Sequence, residues 1–396
     1  MRTENKEINQ GLLIATVCLM LCFAPICQFA NLLCGTIFGE PFSLDTLLCY
    51  AALLGMLLAS FIQLHGRIKL DVLYFVTLLI LAYALTYILA KGNRRYMFTE
   101  WSDFTANPLY QLFVYSVPAY VLMRYITDYG RLLDTFYRFA LAVVLCSVGT
   151  FVISVAGDSQ PEYMNFSYNL LFSTLFLTVC FFSKKKKPAL AAAIAGVALI
   201  FFVGARGPLL CYSVGVVAYL LMRKSSPSRK ITVTVCLVIL GLLAIVLWDS
   251  LLSLLSRFSE MIGVRSRSIE MLLNGEFLSD SGRGEIQKRV ISSFSLFGSG
   301  LFGDRIAGEG FYAHNLIIEI IAQWGYLLGT VIVVALGVLF CRGIRTKNED
   351  LRWLILVLLA SSVMKLMLSG SYLMYNSGFF LLLAACVNSL DLAERA

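Results

Sequence analysis

The chain has 396 residues, of which 59% are hydrophobic and 14% charged, and its mean hydropathy is +0.80. Soluble chains are nearer half apolar and a quarter charged, so this balance excludes a soluble or secreted domain. The formal net charge of +8 is mostly topogenic and is no nucleic-acid footprint.

A helix needs about 20 apolar residues to cross a bilayer. Apolar runs fall at 11–35, 44–62, 70–90, 108–126, 136–156, 166–183, 188–204, 207–222, 231–249, 313–341, 351–369 and 372–388. The sequence therefore predicts an all-α polytopic protein of about twelve spans, one membrane domain over residues 1–396, with a break at Gly325 in the tenth span. Arg2 and Lys6 precede the first run, and no small-residue cleavage site follows it, so that run reads as a retained span. The 11 cysteines lie almost entirely in apolar runs and form no CxxC pair or Cys/His ligand spacing. They read as small buried apolar residues, with no metal site.

Lys and Arg accumulate in cytoplasmic loops, which sets the orientation. With the N-terminus inside, the inner segments carry 20 of the 32 cations, including Arg67, Lys69, Arg124 and the run Lys184 to Lys187. Both termini are then cytoplasmic. A long outer loop, 250–312, separates spans nine and ten, and its first part reads as amphipathic helix at the interface.

The chemistry-bearing positions follow in chain order. Lys184 to Lys187 read as a topogenic anchor beside anionic lipid. Arg206 stands in Gly204-Ala205-Arg206-Gly207-Pro208, the minimal outer turn between two apolar spans. A helix starting there would give it backbone N–H groups to share in holding an anion, the alternative being a snorkelling arginine at the membrane edge. Arg283, in Gly282-Arg283-Gly284, opens a helix-like stretch and could hold phosphate or pyrophosphate bidentately. The mixed charges of Glu285, Lys288, Arg289, Asp304, Arg305 and Glu309 read as a solvated face. Gly298-Ser299-Gly300 lacks the Walker lysine and strand-to-helix setting, so it is no nucleotide loop.

There are two histidines, His65 in an inner loop and His314 at the outer end of the tenth span. A helix beginning near Ala313 would favour the neutral imidazole of His314, the form that accepts a proton. The alternative is an interfacial histidine bonded to backbone or water. Glu319 and Gln323, four residues apart, share a helix face. Lys365 is a cation inside an apolar span, which makes it a functional candidate or a snorkelling residue.

The ordered outer-face set of Arg206, Arg283 and Tyr312-Ala313-His314-Asn315, with Glu319 to Gly325-Tyr326-Leu327-Leu328-Gly329 after it, resembles the O-antigen ligase and Wzy-type polymerase superfamily over about residues 161–340. That resemblance implies a fold like the GT-C glycosyltransferases and a site facing the outside of a bacterial cytoplasmic membrane. It implies an undecaprenyl-pyrophosphate-linked oligosaccharide as donor, the lipid bilayer as surrounding, a chain-length regulator as partner, and neither metal nor other cofactor. On it, His314 is the catalytic base, and Arg206, Arg283, Lys365, Asn315 and Tyr312 bind pyrophosphate or substrate. Gln287 and Lys288 stand where the family often carries a bulky residue. The segment Pro161 to Tyr168 and the Ala-Arg-Gly-Pro turn look more like repeat-unit polymerases than ligases transferring glycan to lipid A core. A flippase for lipid-linked oligosaccharide is the rival from another class, although no inverted repeat or paired broken helices are visible.

Overall fold

In a bilayer every backbone polar group needs a partner inside the protein, and a helix supplies one within a single segment. The computed structural model describes residues 8–38, 43–98, 107–157, 162–203, 206–223, 282–374 and 376–394, with single positions 253, 256, 257, 261 and 271. No strand occurs among them, and eight of their helical stretches, with 349–368 taken as one, are long and apolar enough to cross a membrane. The expected ninth span, 231–249, and most of the outer loop before Gly282 lie outside the described residues.

The α-helices of five residues or more are α1 (Gln10–Phe38), α2 (Ser43–Leu64), α3 (Leu70–Leu89), α4 (Val117–Arg124), α5 (Tyr129–Ala156), α6 (Tyr163–Lys184), α7 (Lys187–Val203), α8 (Arg206–Met222), α9 (Arg283–Ser292), α10 (Gly303–Ala307), α11 (Leu316–Ile344), α12 (Glu349–Leu358), α13 (Met364–Leu368) and α14 (Ser377–Glu394). A π-helical turn, Gln111–Ser116, leads into α4, and another, Leu359–Val363, joins α12 to α13. The described cysteines are free thiols, most of them buried.

Contacts divide the chain into two units. The first comprises residues 1–21, 48–136 and 280–396, and the second residues 22–47 and 137–279.

In the first unit α14 is central, packing against α4, α11 and α12. At one end of this unit Arg124, 3% exposed, donates from Nε to Asp71 at 2.7 Å and from Nη2 to Asp391 at 3.0 Å. It also donates to Asn388, whose Nδ2 returns to the carbonyl of Met123 at 2.8 Å. Asp71 starts α3, while Thr86, near its other end, accepts a hydrogen bond from Leu301 N at 3.0 Å. Fifteen residues of helix, a rise of roughly 22 Å, separate the two. The Arg124 cluster and the 282–315 segment therefore belong to opposite ends of this unit.

The break foreseen at Gly325 is present: φ is 80° and ψ 171° inside α11. A break frees N–H and C=O groups that membrane depth cannot leave unpaired. The segment 295–300 fills the gap: Ser299 N and Gly300 N donate to the carbonyls of Ala322 and Gln323, each at 3.0 Å, and Tyr326 N donates to Ser295 O at 3.0 Å. The approach is backbone on backbone. A Cβ on Gly298 would collide with Gly325 N, and one on Gly325 with the carbonyl of Leu296. The glycines of 298–300 thus serve close packing. Asn93 ties the same segment to the end of α3, donating to the carbonyls of Ser299 and Leu301 at 2.8 Å each.

In the second unit small residues let helices approach, the usual device where lipid removes the hydrophobic drive for association. Gly196 on α7 receives Thr174 of α6, and Gly207 on α8 receives the phenol of Tyr168. Thr178 and Tyr212 then share a hydrogen bond at 2.9 Å between α6 and α8. Lys185 turns the chain from α6 to α7 with a left-handed φ of 51°, and the Lys186 ammonium lies 4.0 Å from the Tyr137 ring centroid.

Candidate functional site

Gly282, with φ 78°, caps the start of α9 and makes Arg283 its first residue. Ile286, Val290 and Phe294 recur every four residues, and that stripe packs with Ala313, Ile318 and Ala322. The packing fixes α9 beside the start of α11, one turn of helix from Arg283. Arg283 Nη1 donates to the carbonyl of Leu368, the last residue of α13, at 2.7 Å. Lys365 precedes Leu368 by three residues on the same short helix, so the two are neighbours on its surface.

His314 lies just before α11, which begins at Leu316 instead of the expected Ala313. The helix starts later because Asn315 is the N-cap: its Oδ1 accepts from Ile317 N at 3.0 Å and Ile318 N at 3.2 Å. His314 is half-buried and left-handed, with φ 52°. Its ring lies 4.1 Å from that of Tyr312, at 45°. Nδ1 is buried without a hydrogen-bond partner among the described residues. Burial, and then the positive field of Arg283, push the imidazole down to about 4 from its ordinary 6.5. Both causes disfavour the charged form, so His314 is neutral at pH 7.

No protein-family model, curated protein or solved structure matches this chain.

Behind His314 stands a network that sequence reasoning divided wrongly. Asp304 and Arg305, read as part of a solvated face, are 1% and 8% exposed. They sit on α10, a single turn whose flanking residues Phe302 and Gly308 are also buried, which draws the pair inward. Gln323 Nε2 donates to Asp304 Oδ1 at 2.8 Å and to Glu319 Oε1 at 3.3 Å, and Gln323 Oε1 accepts from the Tyr372 hydroxyl at 2.6 Å. Trp324 Nε1 donates to that hydroxyl at 3.1 Å. Glu319 also accepts from the Ser371 hydroxyl and, at 3.3 Å, from Tyr372 N. Ala313 N donates to Asp304 Oδ2 at 3.2 Å. Burial pushes the Asp304 carboxyl up, against the lowering pull of Gln323 and Arg305. The solvated reading does hold for Arg289, which pairs with Glu309 at 3.0 Å in the open.

The structure thus brings Arg283, Tyr312, His314 and Lys365 to one end of the first unit, and gives Asn315 a capping role. Arg206 belongs to the second unit, where it is the first residue of α8, as the Pro208 signal implied. Asp304, Ser371, Trp324 and Tyr372 had no sequence signal of their own, because a charged pair or a serine between apolar runs ordinarily reads as loop and an aromatic residue within a run reads as core. The preceding Leu301-Phe302, both buried, was the available hint that the Asp304 turn is packed.

Proposed function

We propose that the protein is a polysaccharide repeat-unit polymerase of the Wzy type. It would transfer an oligosaccharide from undecaprenyl pyrophosphate to a sugar hydroxyl at the outer face of a bacterial cytoplasmic membrane. The observation that carries the reading is a neutral imidazole at His314, its Nδ1 unpartnered among the described residues, within the field of the Arg283 guanidinium. Such a pair supplies a proton acceptor and a charge for a departing pyrophosphate.

A sugar hydroxyl is a poor nucleophile, and a positioned base is worth roughly 10²- to 10⁴-fold. His314 takes the hydroxyl proton as the new glycosidic bond forms at the anomeric carbon. The bond from that carbon to the phosphate oxygen breaks, and the electron pair leaves with the pyrophosphate. Arg283, with Lys365, offsets the charge gathering there, an effect strongest where water is scarce. A base without a covalent nucleophile makes this one displacement with inversion.

An imidazole at about 4 is a weak base. A pyrophosphate beside Arg283 adds negative charge, cancels the guanidinium field and raises the basicity of His314. Donor binding would thereby arm the base.

The test is to incubate purified protein with an undecaprenyl-pyrophosphate oligosaccharide, with and without lipid A core, and to resolve the products by size. A ladder spaced by one repeat without lipid A core, abolished in His314→Ala, is the expected result. Transfer only to lipid A core would make the protein a ligase, and no product with the native donor would favour transport of the lipid-linked glycan instead.

A further inference from the structure

A left-handed residue that is not glycine persists only where its surroundings fix it. His314 is fixed on both sides. Ala313 N is held by Asp304 Oδ2 at 3.2 Å, and Asn315 caps α11. From Asp304 the bonds continue through Gln323 to Tyr372, four residues beyond the Leu368 carbonyl that holds Arg283. One bonded path therefore joins the backbone before the imidazole to the loop that mounts the guanidinium.

The path has a single sense. The NH₂ group of Gln323 faces two carboxyl oxygens, so its carbonyl must face the Tyr372 hydroxyl. Turning the amide over would set oxygen against both carboxyls. The described segments carry no second hydrogen bond from a side chain to the backbone of 312–314.

The geometry points to Asp304 as a positioning residue: through Gln323 and Tyr372 it sets the separation between the His314 imidazole and the Arg283 guanidinium. The inference rests on the proposed function only for the use made of that separation. The elements at this end of the unit carry Arg283, Glu285, Lys288 and Arg289 on α9, Asp304 and Arg305 on α10, Glu309, Tyr312 and Tyr372 in the loops, Glu319 on α11 and Lys365 on α13. Among these, Arg283 is the charge that acts on the imidazole.

The chain has two histidines, so protein labelled with ¹⁵N-histidine gives two imidazole titrations by NMR, and His65→Gln assigns them. Wild-type His314 is expected to titrate at about 4. In Asp304→Ala its midpoint should rise towards that of Arg283→Gln, because the ring loosens from burial and from the guanidinium. Loss of whatever negative charge Asp304 carries would lower the midpoint or leave it in place and never raise it, so the sign separates positioning from a direct charge effect. Asp304→Asn can keep an oxygen for Ala313 N only by setting its NH₂ against that of Gln323, so it breaks the path and should also raise the midpoint.

Tyr372→Phe removes only a hydroxyl and should raise the midpoint by less, which keeps the test open where Asp304→Ala fails to fold. Arg289→Gln, in an exposed ion pair off the path, should leave it unmoved. A midpoint unmoved in folded Asp304→Ala and Tyr372→Phe, or moved equally by Arg289→Gln, would overturn the inference. The titration needs no turnover. A raised midpoint in a protein that transfers no glycan would sink the polymerase reading alone, and an unmoved midpoint with transfer intact would sink the positioning role alone.

Discussion

Arg283 Nη1 and the carbonyl oxygen of Leu368, 85 residues further along the chain, meet at 2.7 Å. One donor of the five-donor guanidinium is thus spent on aiming the group, and the field it projects reaches His314. Replacing Arg283 by Gln removes that field. The acid limb of kcat/KM, which reports the free enzyme, should move upward from about 4 towards the ordinary 6.5. A limb that stays in place would show that burial alone depresses the imidazole.

Folding stability should share this pH dependence. Folded His314 takes up its proton only below about 4, whereas the unfolded imidazole does so near 6.5. Between those values the unfolded chain binds more protons, so stability falls as pH drops through the window. Thermal unfolding in detergent at pH 7 and pH 5 measures this, and His314→Gln should reduce the difference.

Arg206→Lys keeps a positive charge at the start of α8 but loses the planar fork. Glycan transfer should fall severely, with the protein still folded. Unchanged turnover would make Arg206 an anchor at the membrane edge.

Asn315 separates a capping role from substrate binding. Asn315→Ala should cost about 1 kcal/mol of stability. Asn315→Asp retains the oxygen that accepts from Ile317 N and Ile318 N and adds a negative charge favoured at a helix start. If Asp restores both stability and transfer, the cap accounts for the residue. Stability restored without transfer would return it to the substrate.

Gly325→Ala should be among the most damaging single changes. Its φ of 80° and ψ of 171° are essentially reserved to glycine, at about 3 kcal/mol for another residue. The added Cβ would also strike the Leu296 carbonyl. Loss of monodisperse protein after detergent extraction is the readout.

How much of this was legible depended on whether a residue announces its environment. The apolar runs did, since a bilayer demands both length and hydrophobicity, and every described run carries helix. Gly325 did too, as a glycine inside an otherwise uninterrupted apolar stretch. The sequence placed His314 and Arg283 as candidates but said nothing of their sharing one end of the unit, which depends on α9 laying Ile286 and Val290 against Ala313 and Ala322. Asp304 was misread because a charged residue in a loop is ordinarily wet, and only its packing with Gln323 and Ala313 shows otherwise.

The interruption at Gly325 also divides α11 into two stretches under different selection. Beyond it, Leu327, Val331, Val334 and Val338 are about half exposed or more, on a surface suited to acyl chains, where one aliphatic residue serves as well as another. Before it, Leu316, Glu319, Ile320 and Gln323 are buried, with Glu319 and Gln323 bonded to specific partners. Mutational drift can therefore run more freely along the half beyond the break, apart from buried positions such as Gly329 and Gly343, than along the half before it, and a deep mutational scan of residues 316–344 should show the change at the glycine.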